Sequence, residues 1–131
     1  MGKKIPRITN SEMQILEVLW DEGEALTSSE IVEVSDDRTW KSSSVHLLLN
    51  SLLKKKFVQV AGFKKTTKNY ARTFKPTMTK EKYFVRKVMG NTPVAEKKKI
   101  YMQLLKEVDE IETLDTIKEE IYARKKELEN R

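Results

Sequence analysis

Apolar residues recur at helical spacing in two runs near the start of the chain. The first run follows a capping-box sequence that opens at Thr9 and ends before Gly23, so it predicts a helix over about residues 10–21. Its apolar residues are Met13, Ile15, Leu16, Val18, Leu19 and Trp20. A second capping sequence opens at Thr27 and predicts a short helix that continues through Val34.

A third apolar run predicts the helix that carries the candidate chemistry. Val45, Leu48, Leu49 and Leu52 have i, i+3, i+4, i+7 spacing, which predicts a buried face on a helix over about residues 42–55. The other face then carries mostly short polar side chains, which are Ser43, Ser44, His46, Leu47, Asn50, Ser51 and Lys54. Such side chains let a helix lie in a major groove, where they meet base edges. Taken alone, the same residues also fit an ordinary exposed helix face.

The pattern changes from helical to strand-like at Phe57. Residues 57–61 and 69–74 predict two strands, and the basic segment 62–68 between them predicts the loop of a β-hairpin. Three helices followed by a hairpin is the order of elements in a winged helix, a variant of the helix-turn-helix. The basic residues of the predicted wing are Lys64, Lys65 and Lys68, which would reach the DNA backbone or the minor groove.

The rest of the chain predicts helices with narrow apolar stripes. The stripe residues with a candidate role in dimerisation are Tyr101, Leu104, Leu105, Val108, Ile111, Leu114, Ile117, Ile121 and Leu128. Stripes of this width do not form a self-contained core, so a partner chain is expected to cover them. The expected fold is therefore mostly α with a small β-hairpin wing. We expect a winged-helix DNA-binding domain over residues 1–76 and a helical dimerisation domain over residues 77–131.

The net charge of +6 is unevenly distributed along the chain. Residues 38–80 contain eleven basic residues and no Asp or Glu, whereas residues 1–37 contain three basic and nine acidic residues. The eleven are Arg38, Lys41, Lys54, Lys55, Lys56, Lys64, Lys65, Lys68, Arg72, Lys75 and Lys80. A concentrated field of one sign indicates a polyanionic partner, nucleic acid first and an acidic membrane surface second. This distribution favours DNA binding by the outer face of the third helix. Lys41, which precedes that helix, is a further candidate DNA-binding residue.

The composition argues against several function classes. The chain has no Cys and one His, so it offers no disulfide framework and no thiolate metal site. His46 has no second His, no Cys and no nearby carboxylate to complete a metal or catalytic site. No apolar stretch approaches the length of a membrane span, and Met1 is not followed by the apolar region of a secretory signal. We therefore expect a cytoplasmic protein that is not an enzyme and needs no cofactor.

The chain resembles the penicillinase-repressor family of bacterial winged-helix repressors. The resemblance rests on Thr-Asn-Ser-Glu-Met-Gln-Ile-Leu-Glu-Val-Leu-Trp from Thr9 to Trp20 and on Trp-Lys-Ser-Ser-Ser-Val-His-Leu-Leu-Leu-Asn-Ser-Leu-Leu-Lys-Lys-Lys-Phe-Val from Trp40 to Val58. It implies a homodimeric transcriptional repressor that binds a pseudo-palindromic DNA operator. The positions that it carries over to the recognition helix are Ser43, Ser44, His46, Leu47 and Ser51.

This sequence departs from the family pattern in three places. Residues 44–47 read Ser-Val-His-Leu where familiar members carry a segment like Thr-Ile-Arg-Thr, so a different operator sequence is expected. Members that respond to β-lactams are cleaved at an Asn before an apolar residue. The comparable residues 99–103 lack that Asn, which leaves a regulatory protease open as a partner. The absence of Cys excludes the metal site of the copper-responsive members.

A second function class fits the same basic surface. A non-specific architectural or interaction protein would use it for any nucleic acid or for an acidic partner. Preference for one operator over bulk DNA separates the two classes, because specific proteins prefer their site by about 10³ or more.

Overall fold

The computed structural model describes residues 5–131, which form α-helices and one antiparallel sheet. The elements in chain order are α1 (Asn10–Glu22), β1 (Leu26–Thr27), α2 (Ser28–Val34), α3 (Val45–Lys54), β2 (Val58–Lys65), β3 (Tyr70–Pro76), α4 (Lys80–Met89), α5 (Val94–Lys106) and α6 (Ile111–Glu129). The chain divides into two compact units, of which the first ends at Gly90 and the second spans Asn91–Arg131. The predicted fold class, mostly α with a small hairpin, is confirmed.

Both predicted capping boxes are present. The Thr9 hydroxyl accepts a hydrogen bond from the Glu12 backbone N–H at 3.2 Å, and the Thr9 N–H donates to the Glu12 carboxylate at 2.8 Å. Thr27 and Glu30 repeat this pair of bonds at the start of α2, at 3.2 and 2.9 Å. Gly23 ends α1 in the left-handed conformation, with φ of 69°, which a glycine adopts without a steric penalty.

The third helix is shorter than the pattern predicts. A 3₁₀ turn over Ser42–Ser44 precedes α3, because three successive serines are weak helix formers whose hydroxyls compete for the backbone. The helix ends in a Schellman motif: the Phe57 N–H donates to the Leu52 carbonyl, and the Lys56 N–H donates to the Leu53 carbonyl. Lys56 therefore lies in the left-handed region at φ of 67°, a position where glycine is usual.

The sheet has the strand order β1-β3-β2. The two-residue strand β1, which the sequence pattern did not predict, pairs with β3 through Leu26 and Phe74. The predicted loop over residues 62–68 is shorter than expected, because β2 stays paired with β3 as far as Lys65. A turn from Thr66 to Asn69 closes the hairpin, with the Thr66 N–H donating to the Asn69 carbonyl. Lys64 and Lys65 therefore lie on a strand and not on a loop.

The core lies between α1, α2, α3 and the sheet, and it also includes α4. Its buried residues are Ile15, Leu16, Leu19, Leu26, Ile31, Trp40, Val45, Leu49, Leu52, Phe57, Val58, Phe74 and Tyr83. Leu48 is only half-buried and packs against this cluster. The Tyr83 ring of α4 contacts the rings of Trp20 and Phe57, with centroids 5.7 and 5.8 Å apart. The first compact unit therefore includes α4 and ends at Gly90. The division into a DNA-binding domain over residues 1–76 and a dimerisation domain over residues 77–131 stays a prediction.

The second unit consists of α5 and α6. Neither helix contains a buried residue. Within residues 5–131, no helix is both long and apolar enough to cross a membrane.

Candidate nucleic-acid interface

The outer face of α3 is open to solvent. His46, Leu47 and Asn50 are exposed, and the Leu47 side chain keeps 73% of its accessible surface. Lys54 is exposed at the end of the same helix. Asn50 lies three positions after Leu47 and four after His46, and Lys54 lies four positions after Asn50, so these residues form one continuous surface. The periodicity of the sequence correctly predicted the exposure of these four residues.

The residues just before α3 differ in their exposure to solvent. Lys41 and Ser43 are exposed, whereas Ser44 is half-buried at the junction between the 3₁₀ turn and α3. Lys41 is therefore open to solvent before the N-terminal end of α3, whereas Lys54 lies at its C-terminal end.

Ser51 does not belong to the open face. Its hydroxyl donates a hydrogen bond of 2.5 Å to Glu12 Oε2 of α1, and the residue is half-buried. The neighbouring Lys55 donates to Glu12 Oε1 at 2.8 Å and to the Arg7 carbonyl at 2.7 Å. Ser51 and Lys55 thus attach the C-terminal end of α3 to the start of α1, and neither group is free for a ligand in this conformation.

Glu12 is a buried carboxylate, with 2% of its side chain exposed. Burial raises its pKa, but hydrogen bonds from Lys55, Ser51 and Thr9 outweigh burial and lower the pKa from 4.5 to about 2. The carboxylate therefore stays charged at neutral pH and stabilises the junction between α1 and α3.

Arg38 fixes the turn between α2 and α3. Its guanidinium donates to the carbonyls of Val32 and Ser35 at 3.1 and 3.0 Å, and to the Ser42 hydroxyl at 3.0 Å. It also lies over the Trp40 ring, 5.3 Å from the ring centroid. A cation at the C-terminal end of α2 is favoured by the helix dipole. Arg38 is consequently a structural residue, although it counts toward the basic segment in the sequence.

The wing lysines have different surroundings. Lys64 of β2 forms an ion pair with Glu30 of α2, with Nζ 2.5 Å from Oε2. The hydrogen bond from Lys64 lowers the pKa of Glu30, and the same bond raises the pKa of Lys64. Lys65 and Lys68 are exposed. Of the three predicted wing contacts, Lys65 and Lys68 are open to a ligand, and Lys64 is engaged with α2.

The predicted dimerisation residues lie on α5, on α6 and in the segment between them. Six are exposed, namely Tyr101, Leu104, Ile111, Leu114, Ile121 and Leu128. The remaining three, Leu105, Val108 and Ile117, are half-buried. Among residues 5–131, no group of three or more His, Cys, Asp or Glu side chains could hold a metal ion.

Helices α1 to α3 and the hairpin of β2 and β3 define the first unit as a winged helix. The sequence model of one family, described as the penicillinase repressor, matches residues 8–120. The chain belongs to the penicillinase repressor family.

One curated relative and two solved structures show what the chain is similar to. The penicillinase repressor of Bacillus licheniformis is 34% identical over 53 residues, which cover 40% of this chain and 41% of that relative. The match thus spans less than half of the relative's length. Monomeric BlaI of Bacillus licheniformis in complex with the blaP half-operator is 23% identical with a TM-score of 0.43, covering 61% of this chain and 92% of BlaI. The adhesin competence repressor AdcR of Streptococcus pyogenes is 18% identical with a TM-score of 0.41, covering 94% and 82%.

Proposed function

We propose that this protein is a cytoplasmic, homodimeric transcriptional repressor that binds a pseudo-palindromic DNA operator. Family membership supports the class of function, and the relative's name is that of a repressor. The observation that carries the proposal is the open outer face of α3, which lies within residues 38–80, where no acidic residue occurs. Acidic residues would repel the phosphates that flank a major groove.

The chemistry of the α3 face suits base recognition. Asn50 offers an amide that can pair with the N6 and N7 atoms of an adenine, and Leu47 offers an apolar contact for a thymine methyl group. His46 lies one helical turn before Asn50 and presents a ring nitrogen at the same surface. Ser43 adds a hydroxyl before the helix. We therefore assign base contacts to these four residues, with half-buried Ser44 at the edge of the contact.

Phosphate contacts are assigned to the surrounding lysines. Lys41 and Lys54 lie at the two ends of the α3 surface, and Lys65 and Lys68 lie on the wing; all four are exposed. Contacts of this kind fix the register of a protein on the duplex without reading its sequence. Lys64 makes a phosphate contact only when its ion pair with Glu30 is broken.

The second unit supports the homodimer. Two helices with apolar side chains and no buried residue leave their stripes open in a single chain. A symmetric interface would cover the same stripe on both copies and would match the symmetry of a palindromic operator. A regulatory protease that inactivates the dimer stays a further hypothesis of this proposal.

A selection experiment followed by a competition titration tests the proposal. The protein is first used to enrich binding sites from a pool of random duplexes, and the enriched site is then titrated against bulk genomic DNA. A repressor is expected to enrich two inverted half-sites and to prefer them over bulk DNA by about 10³ or more. Equal affinity for both would contradict the proposal and support the non-specific architectural function.

A further inference from the structure

The wing contains a β-bulge that decides which side chains share a face. Val60 pairs with Phe74 and Gly62 pairs with Thr73, so Ala61 has no partner on β3. Side chains alternate between the two faces of a strand, and one extra residue reverses the alternation beyond it. Because of the bulge, Phe63 lies on the same face of the hairpin as Phe74. Without the bulge, Lys64 would lie on that face instead.

The face that results alternates aromatic and cationic residues. Phe63 is paired with Arg72, and Lys65 is paired with Tyr70. Phe63 and Tyr70 keep 70% and 65% of their accessible surface, although both are large aromatic residues. Arg72 is held in place because its guanidinium lies over the ring of the buried Phe74, 5.2 Å from the centroid. We name these four residues, Phe63, Lys65, Tyr70 and Arg72, the aromatic face of the wing.

The opposite face of the hairpin has different chemistry. Beyond the bulge it carries Gly62, Lys64, Ala71 and Thr73, and the cation among these four, Lys64, is paired with Glu30. The two faces therefore differ in both apolar area and free charge. A ligand of the aromatic face must be anionic and must also offer an apolar surface, because the face lies in a segment without acidic residues.

The minor groove of duplex DNA meets both conditions. Its walls are sugars, its edges are phosphates, and apolar side chains that enter it separate neighbouring base pairs. We infer that the aromatic face enters the minor groove beside each half-site, with Phe63 as the apolar wedge, Tyr70 against the sugars, and Lys65 and Arg72 on the flanking phosphates. This inference rests on the proposed DNA-binding function and adds to it a second contact that favours minor grooves without guanine amino groups.

Two synthetic duplexes of about 20 base pairs, roughly two helical turns, isolate the minor groove. One alternates inosine and cytosine, and the other alternates guanine and cytosine. They present the same hydrogen-bonding groups in the major groove, and they differ in the 2-amino group that guanine places in the minor groove. The 131-residue chain is titrated with each duplex, and the ratio of the two affinities is the measured quantity.

The wild-type chain is expected to bind the inosine duplex about tenfold more tightly, a factor in the range of an aromatic contact with a base. Phe63→Ala should reduce the ratio to about one, mainly through the inosine duplex. Val60→Ala is the matched control, because it truncates an apolar side chain of the same strand before the bulge. It should keep the wild-type ratio, and Lys65→Ala should weaken binding to both duplexes equally.

The failures are distinguishable. A wild-type chain that enriches no site from the random duplexes would contradict the proposed DNA-binding function as well as this inference, whereas a chain that enriches an operator but binds neither synthetic duplex would overturn the inference alone. A wild-type chain that binds both duplexes equally, or a Phe63→Ala variant that keeps the wild-type ratio, would overturn the inference alone. Because Phe63 is exposed, its substitution should leave the thermal unfolding curve unchanged, and this measurement verifies that the variant is folded.

Discussion

Glu30 binds Lys64 with one carboxylate oxygen and closes the capping box of α2 with the other. Oε2 lies 2.5 Å from the lysine Nζ, and Oε1 accepts from the Thr27 N–H at 2.9 Å. The ion pair spans 34 positions of the sequence and joins the wing to α2. Since both side chains are partly exposed, the pair contributes little to stability. Its main effect is that Glu30 partly neutralises the charge of Lys64 while the wing is not bound to DNA.

We predict that Glu30→Gln strengthens DNA binding. The amide keeps an oxygen for the Thr27 N–H but removes the negative charge, so Lys64 becomes available to a phosphate. Each additional phosphate contact adds about 0.9 to the slope of log affinity against log salt. Affinity at low salt should rise several-fold and the slope should steepen by about that amount. Glu33→Gln, an exposed acid of the same helix, is the control. An equal gain in that control would contradict the role of Lys64.

Base recognition by α3 predicts different effects at His46 and Ser51. His46→Ala removes an exposed ring at the proposed major-groove surface, so the enriched operator sequence should change at one position in each half-site. The corresponding loss for the original site is about 1–3 kcal/mol. Ser51→Ala should leave the preferred sequence unchanged, because the Ser51 hydroxyl is bound to Glu12. Selection from random duplexes measures both outcomes, and a changed preference in Ser51→Ala would contradict the assignment.

The low pKa of Glu12 predicts a loss of stability in acid. The folded-state pKa of about 2 lies below the ordinary value of 4.5, so the stabilisation is present above pH 4.5 and is lost as the pH falls toward 2. The difference corresponds to about 3 kcal/mol of unfolding free energy. Urea unfolding at several pH values measures it. Glu12→Gln should flatten the dependence in this window, whereas Glu17→Gln, on the exposed side of α1, should not.

The left-handed conformation of Lys56 predicts a stabilising substitution. A residue with a Cβ atom is strained at φ of 67°, and glycine is not. Lys56→Gly should therefore raise the unfolding free energy by about 0.5–1 kcal/mol. Glu17→Gly, at an exposed position inside α1, should lower it by about 1 kcal/mol. Thermal unfolding of the two variants gives the comparison, and a destabilised Lys56→Gly would contradict the assigned strain.

Local patterns in the sequence were enough to predict the elements near α1 and α3. A capping box lies within four residues, as at Thr9 and Glu12, and a helical stripe repeats over two turns. The exposed side of α3 follows directly from its buried side, so the exposure of His46, Leu47 and Asn50 could be predicted from the sequence.

Long-range contacts could not be predicted in this way. Glu12 meets Ser51 and Lys55 across 39 and 43 positions, and no periodicity encodes that meeting. Tyr83 belongs to an amphipathic helix that looks the same whether it packs on its own winged helix or on a partner chain. The bulge at Ala61 precedes a glycine, which in the sequence indicated the start of a loop.

The second unit gives the last prediction, which concerns assembly. Leu104 and Ile121 are exposed on α5 and α6, and in the proposed dimer their side chains are buried between two copies. Truncation of such a buried side chain costs about 2–5 kcal/mol. Leu104→Ala and Ile121→Ala should therefore shift a dimer of micromolar strength toward monomer and weaken operator binding, because one recognition helix makes few contacts alone.

Sedimentation velocity of the wild-type chain and the variants measures the assembly. The mass obtained from the sedimentation of the wild-type chain should be twice the chain mass of 15.3 kDa. The mass obtained for each variant at the same concentration should approach that of the monomer. Glu119→Ala, an exposed polar position on α6, controls for a general effect of substitution on that helix. Over the part of the chain that the structure describes, the buried cluster of the first unit is formed by residues from Ile15 to Tyr83, so the winged helix should stay folded in both variants. A wild-type monomer at micromolar concentration that still binds its operator tightly would contradict the dimer.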